Sequence, residues 1–477
     1  MASFNAFLDK KFELSKKGTN VKTEVIAGLT TFMAMVYILM VNADMFANLG
    51  VVSYGAMYIV TALSAIVGTV LIGLLAGLPL AQAPGMGLNA FFVFTMCFGF
   101  GFSYANTLVF ILVDGIVFVL LTATGLRKKI FEAIPADIKK AIPAGIGLFI
   151  AFIGAQNAGL VIADPSTGVT MGSMNLLSDT RAWFDIIPLI VVVVGVIAIA
   201  ALSKKGVKGA ILWGILFSAA LYYAIMGVSA ACGNEACTAY FKAITFDNPI
   251  NAFKDFGEMS FAKVFTDGFD FSDYIDANGM LDFILAIVTA SLAFCLVDMF
   301  DTLGTLYGAC KSGNLLDEKG EVPNLNKAMM ADAIATCTGA VLGTSTVTTF
   351  VESSAGTAAG GKTALTSYVV AILFAAAMFL SPIAQLIPSC ATATALIYVG
   401  ILMMVNVRDI EWTDPAIALP AFLTIAMMPF TYNISFGIGF GLISHVLIRV
   451  CTGKAKEVSV ATYVLTVIFL LMFLFTH

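Results

Sequence analysis

The chain has 477 residues, 60% hydrophobic and 12% charged, with a mean hydropathy of +0.96 and a formal net charge of −5. Soluble domains carry about 45–50% apolar and about 25% charged residues, so this composition excludes a soluble fold and describes a polytopic membrane protein. Only two histidines, His445 and His477, occur. That argues against His-metal sites, Ser-His-Asp hydrolysis and His acid–base catalysis, and no enzyme activity, cofactor, metal or nucleic-acid partner is expected.

Residues 1–21 form a charged start without a short apolar core and cleavage site, so no removable signal peptide is expected. Phe4, Phe7, Leu8 and Phe12 share a helical side with Lys10, Lys11, Lys16 and Lys17 around them. That pattern suits an interfacial helix on the cytoplasmic leaflet; a disordered basic start is the alternative. Apolar segments follow at about 22–49, 53–78, 80–98, 103–125, 137–159, 185–202 and 208–231. These seven make a first repeat over 22–231. An acidic loop, 232–280, interrupts them. The second repeat, 281–477, has segments at about 281–310, 326–344, 345–362, 363–381, 383–406, 414–430 and 434–451. A last apolar run at 458–476 either spans or lies on the surface.

Lys and Arg set the orientation. The N-terminal lysines, Arg127-Lys128-Lys129 with Lys139-Lys140, Lys204-Lys205 with Lys208, and Lys311, Lys319, Lys327, Arg408, Arg449, Lys454 and Lys456 fall on one side when every segment crosses. The loops at 160–184 and 232–280 then face outward and the N-terminus is cytoplasmic. Eight cysteines lack metal spacing, so most are packing residues. Cys232 and Cys237 flank a loop, and a disulfide or free thiols are both open there.

With an odd number of spans in each half, the halves are inverted in the membrane. Each half also contains an interrupted segment, led into by Gly68-Thr-Val-Leu-Ile-Gly and by Gly339-Ala-Val-Leu-Gly-Thr. Paired interruptions of this kind mark a secondary transporter's binding site. The first is Pro79-Leu-Ala-Gln-Ala-Pro-Gly-Met-Gly-Leu-Asn89. Pro84 forces the residue before it to be extended and suits a helix start, so 80–83 reads as extended and 85–97 as a half-helix. The second is Gly343-Thr-Ser-Thr-Val-Thr-Thr-Phe350-Val-Glu352-Ser353-Ser354-Ala-Gly356. Its threonines favour an extended backbone, Ser353 or Ser354 is a good N-cap, and a half-helix continues to about Gly361. Extended backbone survives at membrane depth only when buried in protein or lining a cavity, so the two pieces are expected to pair.

The richest chemistry lies in Phe294-Cys-Leu-Val-Asp298-Met-Phe-Asp301-Thr302-Leu-Gly-Thr305-Leu306, within the apolar run from Leu281 to Ala309. Asp298, Asp301, Thr302 and Thr305 share one helical face. No Lys, Arg or His lies within the run to pair with the carboxylates. A charged side chain at a helix centre costs about 2.5–3.5 kcal/mol on insertion scales, so these carboxyls call for a cavity, a proton or cation, or a polar ligand. Asp298 and Glu352 are expected to converge on one cavity, with Asp301 facing it or a neighbouring helix.

Four stretches, Thr30 to Asn42, Ala83 to Phe92, Val297 to Leu306 and Thr348 to Gly356, together resemble the AzgA-type purine nucleobase permeases, relatives of the nucleobase–ascorbate transporters. The resemblance covers nearly the whole chain. It implies an all-α fold of about fourteen spans in two inverted seven-span repeats, with short strands in spans 3 and 10. Spans 1–4 and 8–11 would form a core domain, and spans 5–7 and 12–14 a gate domain. It further implies import of adenine, guanine or hypoxanthine with protons, and a homodimer in the lipid bilayer of the cell membrane. The implied substrate contacts are Asn89, Asp298, Glu352, Ser353 and Ser354, with Phe350 as the wall beside the base; Asp298, Asp301 and Glu352 would couple protons. Glu352-Ser353 stands where xanthine- and urate-type relatives carry Gln-Asn, and the first span lacks a His, which moves the expectation away from xanthine, urate and ascorbate. Asn42-Ala43 replaces the Pro that often ends the first span in this branch.

Beside a uracil- or xanthine-type nucleobase permease, and a channel, for which no pore-like ring or repeated filter motif appears, two other readings compete. An anion carrier sharing the fold would want a cation near the half-helix starts, where carboxylates stand instead. A membrane enzyme would need a nucleophile–base pair or a metal cluster.

Overall fold

The computed structural model describes residues 2–125, 135–175, 182–243, 248–318 and 321–475. Arg127-Lys128-Lys129, Lys319 and His477 lie outside the described residues. A short helix, Ala2–Phe12, precedes span 1 and packs Phe12 against Tyr368, with the ring centroids 5.7 Å apart. Ten apolar helices have the length and composition to cross a membrane. They are Val21–Ala47, Tyr54–Ala76, Tyr104–Thr124, Ala136–Asn157, Trp183–Lys204, Ala210–Ala231, Met280–Ser312, Ala364–Ala384, Ser389–Asp409 and Ile434–Cys451, here spans 1, 2, 4–8, 11, 12 and 14. Four less regular segments complete the set of fourteen. Span 3 is strand β1, Gln82–Pro84, followed by helix Met86–Gly99. Span 9 is Leu325–Leu342, span 10 is strand β4, Val347–Thr349, with helix Ser353–Ala358, and span 13 is Pro415–Phe430. A surface hairpin, β2 (Val161–Asp164) with β3 (Gly168–Met171), lies between spans 5 and 6. Helix Val460–Phe475 follows span 14 and packs against spans 14 and 8.

The helices sort into two groups. Spans 1, 2, 4, 8, 9, 10 and 11 pack on one another around the strands, whereas spans 5, 6, 7, 12, 13 and 14 form a second layer. This is the core-and-gate division. Between spans 7 and 8 the acidic segment folds into short helices that seal one end of the core. Asn106 donates to the carbonyls of Gly268 (2.9 Å) and Asp270 (2.7 Å), Ser53 donates to Asp255 at 2.7 Å, and Tyr274 stacks on Phe102 at 4.0 Å. Cys232 is exposed, Cys237 is buried, and both are free thiols.

The two interrupted spans meet. β1 pairs antiparallel with β4, with Gln82 opposite Thr349, Ala83 opposite Thr348 and Pro84 opposite Val347. All six residues are buried, as extended backbone at this depth requires. The helices leading into the strands make room for them with glycine. A methyl carbon placed on Gly68 would fall 2.8 Å from Val347 Cγ1 and 2.9 Å from Gln82 Cβ. One placed on Gly339 would fall 2.8 Å from both the Ser345 carbonyl and Val347 Cγ2. Such distances leave no space for a side chain, so the pair of glycine signals in the sequence marks where the strands cross.

The ladder itself covers Gln82–Pro84, and just before it the Ala81 carbonyl accepts from the Phe350 N–H at 3.0 Å. Local detail departs from expectation in two places. Only Met86–Ala90 of the first half-helix is α-helical; Phe91–Gly99 widens into a π-helix, a rare form often found at functional sites. Glu352, not Ser353 or Ser354, holds the N-cap position of Ser353–Ala358, and no side-chain cap bond forms. Ser353 Oγ is instead bonded to Ala81, accepting from its N–H at 3.0 Å and donating to its carbonyl at 3.4 Å.

Candidate functional site

Where the strands end, the core faces the gate across two adjoining cavities. The narrower one is lined on the core side by Tyr37, Gly85, Asp301, Thr305, Phe350 and Glu352, and on the gate side by Val399 and Met403. The wider one, about 660 Å³, shares Asp301, Thr305, Glu352, Val399 and Met403 and adds Gly304 and Ser354. It extends past Ser203, Gly209 and Val405, at the helix ends that carry Lys204, Lys205, Lys208 and Arg408. The cavity therefore opens on the basic side of the protein. At the other end of span 1, Asp44 accepts hydroxyl hydrogen bonds from Ser389 and Thr392 of span 12, each at 2.8 Å, and ties core to gate.

The polar groups are divided unequally between these walls. In the narrow cavity Tyr37, Asp301, Thr305 and Glu352 all belong to the core, and the gate contributes apolar side chains. Glu352 accepts a hydrogen bond at Oε1 from the Tyr37 hydroxyl at 2.6 Å. Gly85 lies beside both Asp301 and Thr348: a methyl carbon there would be 3.5 Å from Asp301 Oδ2, an ordinary contact, and a tight 3.0 Å from Thr348 Cγ2.

The expected carboxyl triad is arranged differently from the sequence reading. Glu352 and Asp301 line both cavities, and Asp298 lines neither. Asp298 is fully buried in the core. The reason is depth along the helix. Asp298 lies within about 20° of Thr305 around span 8, but about 10.5 Å from it along the axis and about 4.5 Å beyond Asp301, farther from the basic side on which the cavity opens. Thr302, on the far side of Asp298, reaches inward, donating to Asp332 Oδ2 at 2.8 Å and lying 2.9 Å from Thr348 Oγ1.

The remaining expected residues also separate. Phe350 lines the narrow cavity and Ser354 the wider one. Ser353 and Asn89 are fully buried and line neither. Asn89 accepts from Ser345 Oγ and donates to the Pro84 carbonyl at 3.4 Å, which fastens the first half-helix to the strand crossing. Two polar residues were missed by sequence reading. Tyr37 sat unremarked in the Thr30–Asn42 stretch, although a Tyr in an apolar span carries a hydroxyl that needs a partner. Asp332 was passed over in span 9. It is fully buried and reached by Gln82 Nε2 at 3.5 Å, beneath the strands. An intramembrane Asp was signal enough.

A helical membrane protein with two crossed, interrupted spans and a carboxyl-lined cavity between two helical layers has the architecture of a secondary transporter. A family model, Xan_ur_permease, described as a permease family, matches residues 22–440, and the chain belongs to that family. It is 38% identical over 462 residues to the guanine/hypoxanthine permease PbuO of Bacillus subtilis (strain 168), covering 96% of this chain and 98% of that one. It is 35% identical over 473 residues to the adenine permease AdeP of Escherichia coli (strain K12), covering 99% and 97%. The fold is similar to the transmembrane domain of the cyanobacterial bicarbonate transporter BicA, with a TM-score of 0.58 at 15% identity over 90% of this chain and 97% of that chain. It also resembles murine Slc26a9 in an inward-facing state, with a TM-score of 0.59 at 11% identity, covering 90% and 68%. The chain is thus a permease and not an enzyme, with purine permeases among its relatives.

Proposed function

We propose that this chain imports a purine nucleobase, adenine, guanine or hypoxanthine, together with protons. The observation that carries the reading is the pair Glu352 and Asp301 on one cavity, in a chain whose relatives are named as purine permeases. A purine edge offers a ring N–H beside a ring nitrogen. A carboxyl serves both only when it carries a proton, so base and proton bind together and the loaded cavity is close to neutral. The base lies beside Phe350, with Glu352 in direct contact and Asp301 setting the protonation. Asp298, Asn89, Ser353 and Ser354 shape the site around it.

The uneven walls support an elevator-like movement. When the ligand's hydrogen bonds are made to the core alone, the core carries it past the apolar gate side chains of the narrow cavity, Val399 and Met403, without exchanging partners. By the positive-inside rule the basic side is cytoplasmic, which puts the N-terminus inside, makes this an inward-open form and suits a cell-membrane protein. Residues 22–231 and 281–477 are the two repeats, 1–21 a cytoplasmic segment and 232–280 an outer loop; the gate layer suits a homodimer.

Uptake of radiolabelled adenine, guanine, hypoxanthine and uracil into cells without their own nucleobase transporters tests this. Concentrative purine uptake that collapses with a protonophore and is abolished by Glu352→Gln is expected. Uracil uptake in place of purine uptake, or a Glu352→Gln protein that still accumulates purine with unchanged pH dependence, refutes it.

A further inference from the structure

Tyr37 stands at the break in span 1, between helices Val21–Met35 and Ile38–Ala47. Its side chain is fully buried, lines the narrow cavity beside Phe350 and Gly85, and donates to Glu352 Oε1 at 2.6 Å. Span 1 packs on helices Ser353–Ala358 and Ala364–Ala377, so both partners belong to the core and travel together. A hydrogen bond to a charged group is stronger than one between neutral groups. This one holds the very carboxyl that faces the ligand.

We propose that Tyr37 is a positioning residue that sets which purine the site prefers, by engaging Glu352 Oε1 so that Oε2 is the oxygen offered to the base. This rests on the purine reading above. The phenol donates to Oε1 whether Glu352 is ionised or protonated, so the orientation survives a change of proton. Protonated, Oε2 donates its O–H to an acceptor of the base and keeps a lone pair for the neighbouring N–H, a pair of contacts that the ionised carboxylate cannot make. On its six-membered-ring edge hypoxanthine presents one N–H beside a carbonyl acceptor, which this single-oxygen presentation fits. Without the phenol the carboxyl rotates about a broad, two-fold terminal torsion and offers both oxygens as a fork. A fork suits guanine, whose N1–H and 2-amino group are adjacent donors.

The test is binding of radiolabelled hypoxanthine, adenine and guanine to the purified full-length chain in detergent, for wild type, Tyr37→Phe, Glu352→Gln and the double variant. Tyr37→Phe should weaken hypoxanthine binding on the order of tenfold, the scale of one lost charged hydrogen bond, and guanine binding much less. Within Glu352→Gln, Tyr37→Phe should add little, because the two act as one unit. An unchanged hypoxanthine-to-guanine ratio in Tyr37→Phe, or additive effects in the double variant, would overturn this inference alone. A wild-type chain that binds no purine overturns the purine reading and this inference with it.

Discussion

Asp298 and Asp301 are separated by less than one helical turn, yet only Asp301 reaches the cavity. Their substitutions should therefore fail in different ways. Asp301→Asn keeps the shape of the wall and removes a titrating group beside Glu352, so the pH dependence of purine uptake should shift while the protein remains folded. Asp298→Asn changes a buried group inside the core, so the loss should appear first in the amount and thermal stability of folded protein. The check is uptake kinetics from pH 5 to 8 beside melting in detergent. A folded Asp298→Asn protein with altered pH dependence, and an Asp301→Asn protein without it, would reverse the assignment. The sequence already held the acidic residues of this site, because a carboxylate within an apolar run stands out by its cost. It did not hold their directions. Four polar positions on one helical face span nearly a third of the circumference, and only the packing of spans 3, 9 and 10 decides which of them meets the cavity. Tyr37 was hidden for the complementary reason. An aromatic residue in an apolar span looks like core until its hydroxyl has a visible partner.

The crossed strands are the element whose local sequence said most about the fold. Pro84 and the threonine run gave extended backbone, and the matching glycines placed the interruptions at corresponding points of the two halves. Pairing across 265 residues (Ala83 with Thr348, for example) has no local signal, and the register came only with the fold. The glycines are also the element's weak point. At Gly68 a side chain would collide with Val347 and Gln82, and at Gly339 with Val347 and the Ser345 carbonyl. Overpacking a close contact costs about 1–3 kcal/mol. Gly68→Val and Gly339→Val should each lower the melting temperature in detergent and abolish uptake, while Gly227→Ala, with open space around it, should change neither. Normal uptake by Gly68→Val would show that the strands tolerate displacement. The π-helical stretch Phe91–Gly99 is a feature that sequence reading had no means to anticipate, since α and π forms share the same apolar composition.

At the scale of the molecule, the division into two helical layers agrees with the fourteen-segment expectation. The additional helix Val460–Phe475 lies against spans 8 and 14. Its apolar character alone left spanning and surface placement open. The antiparallel pair of β1 and β4 has a consequence for biosynthesis. During insertion the first half of the chain enters the bilayer with the polar backbone of Gln82–Pro84 unmatched, and its partner strand is made only after span 9. Unpaired N–H and C=O groups cost several kcal/mol in hydrocarbon, so an N-terminal half released on its own should be a substrate for membrane quality control. Residues 1–243 expressed alone should be degraded within minutes, and residues 244–477 supplied as a second polypeptide should rescue them. The stability of each fragment in pulse-chase, alone and together, measures this. A long-lived isolated first half would mean that something other than β4 closes the strand. In a cell, synthesis of this transporter would then have a point of no return at the tenth span, before which every nascent chain is provisional.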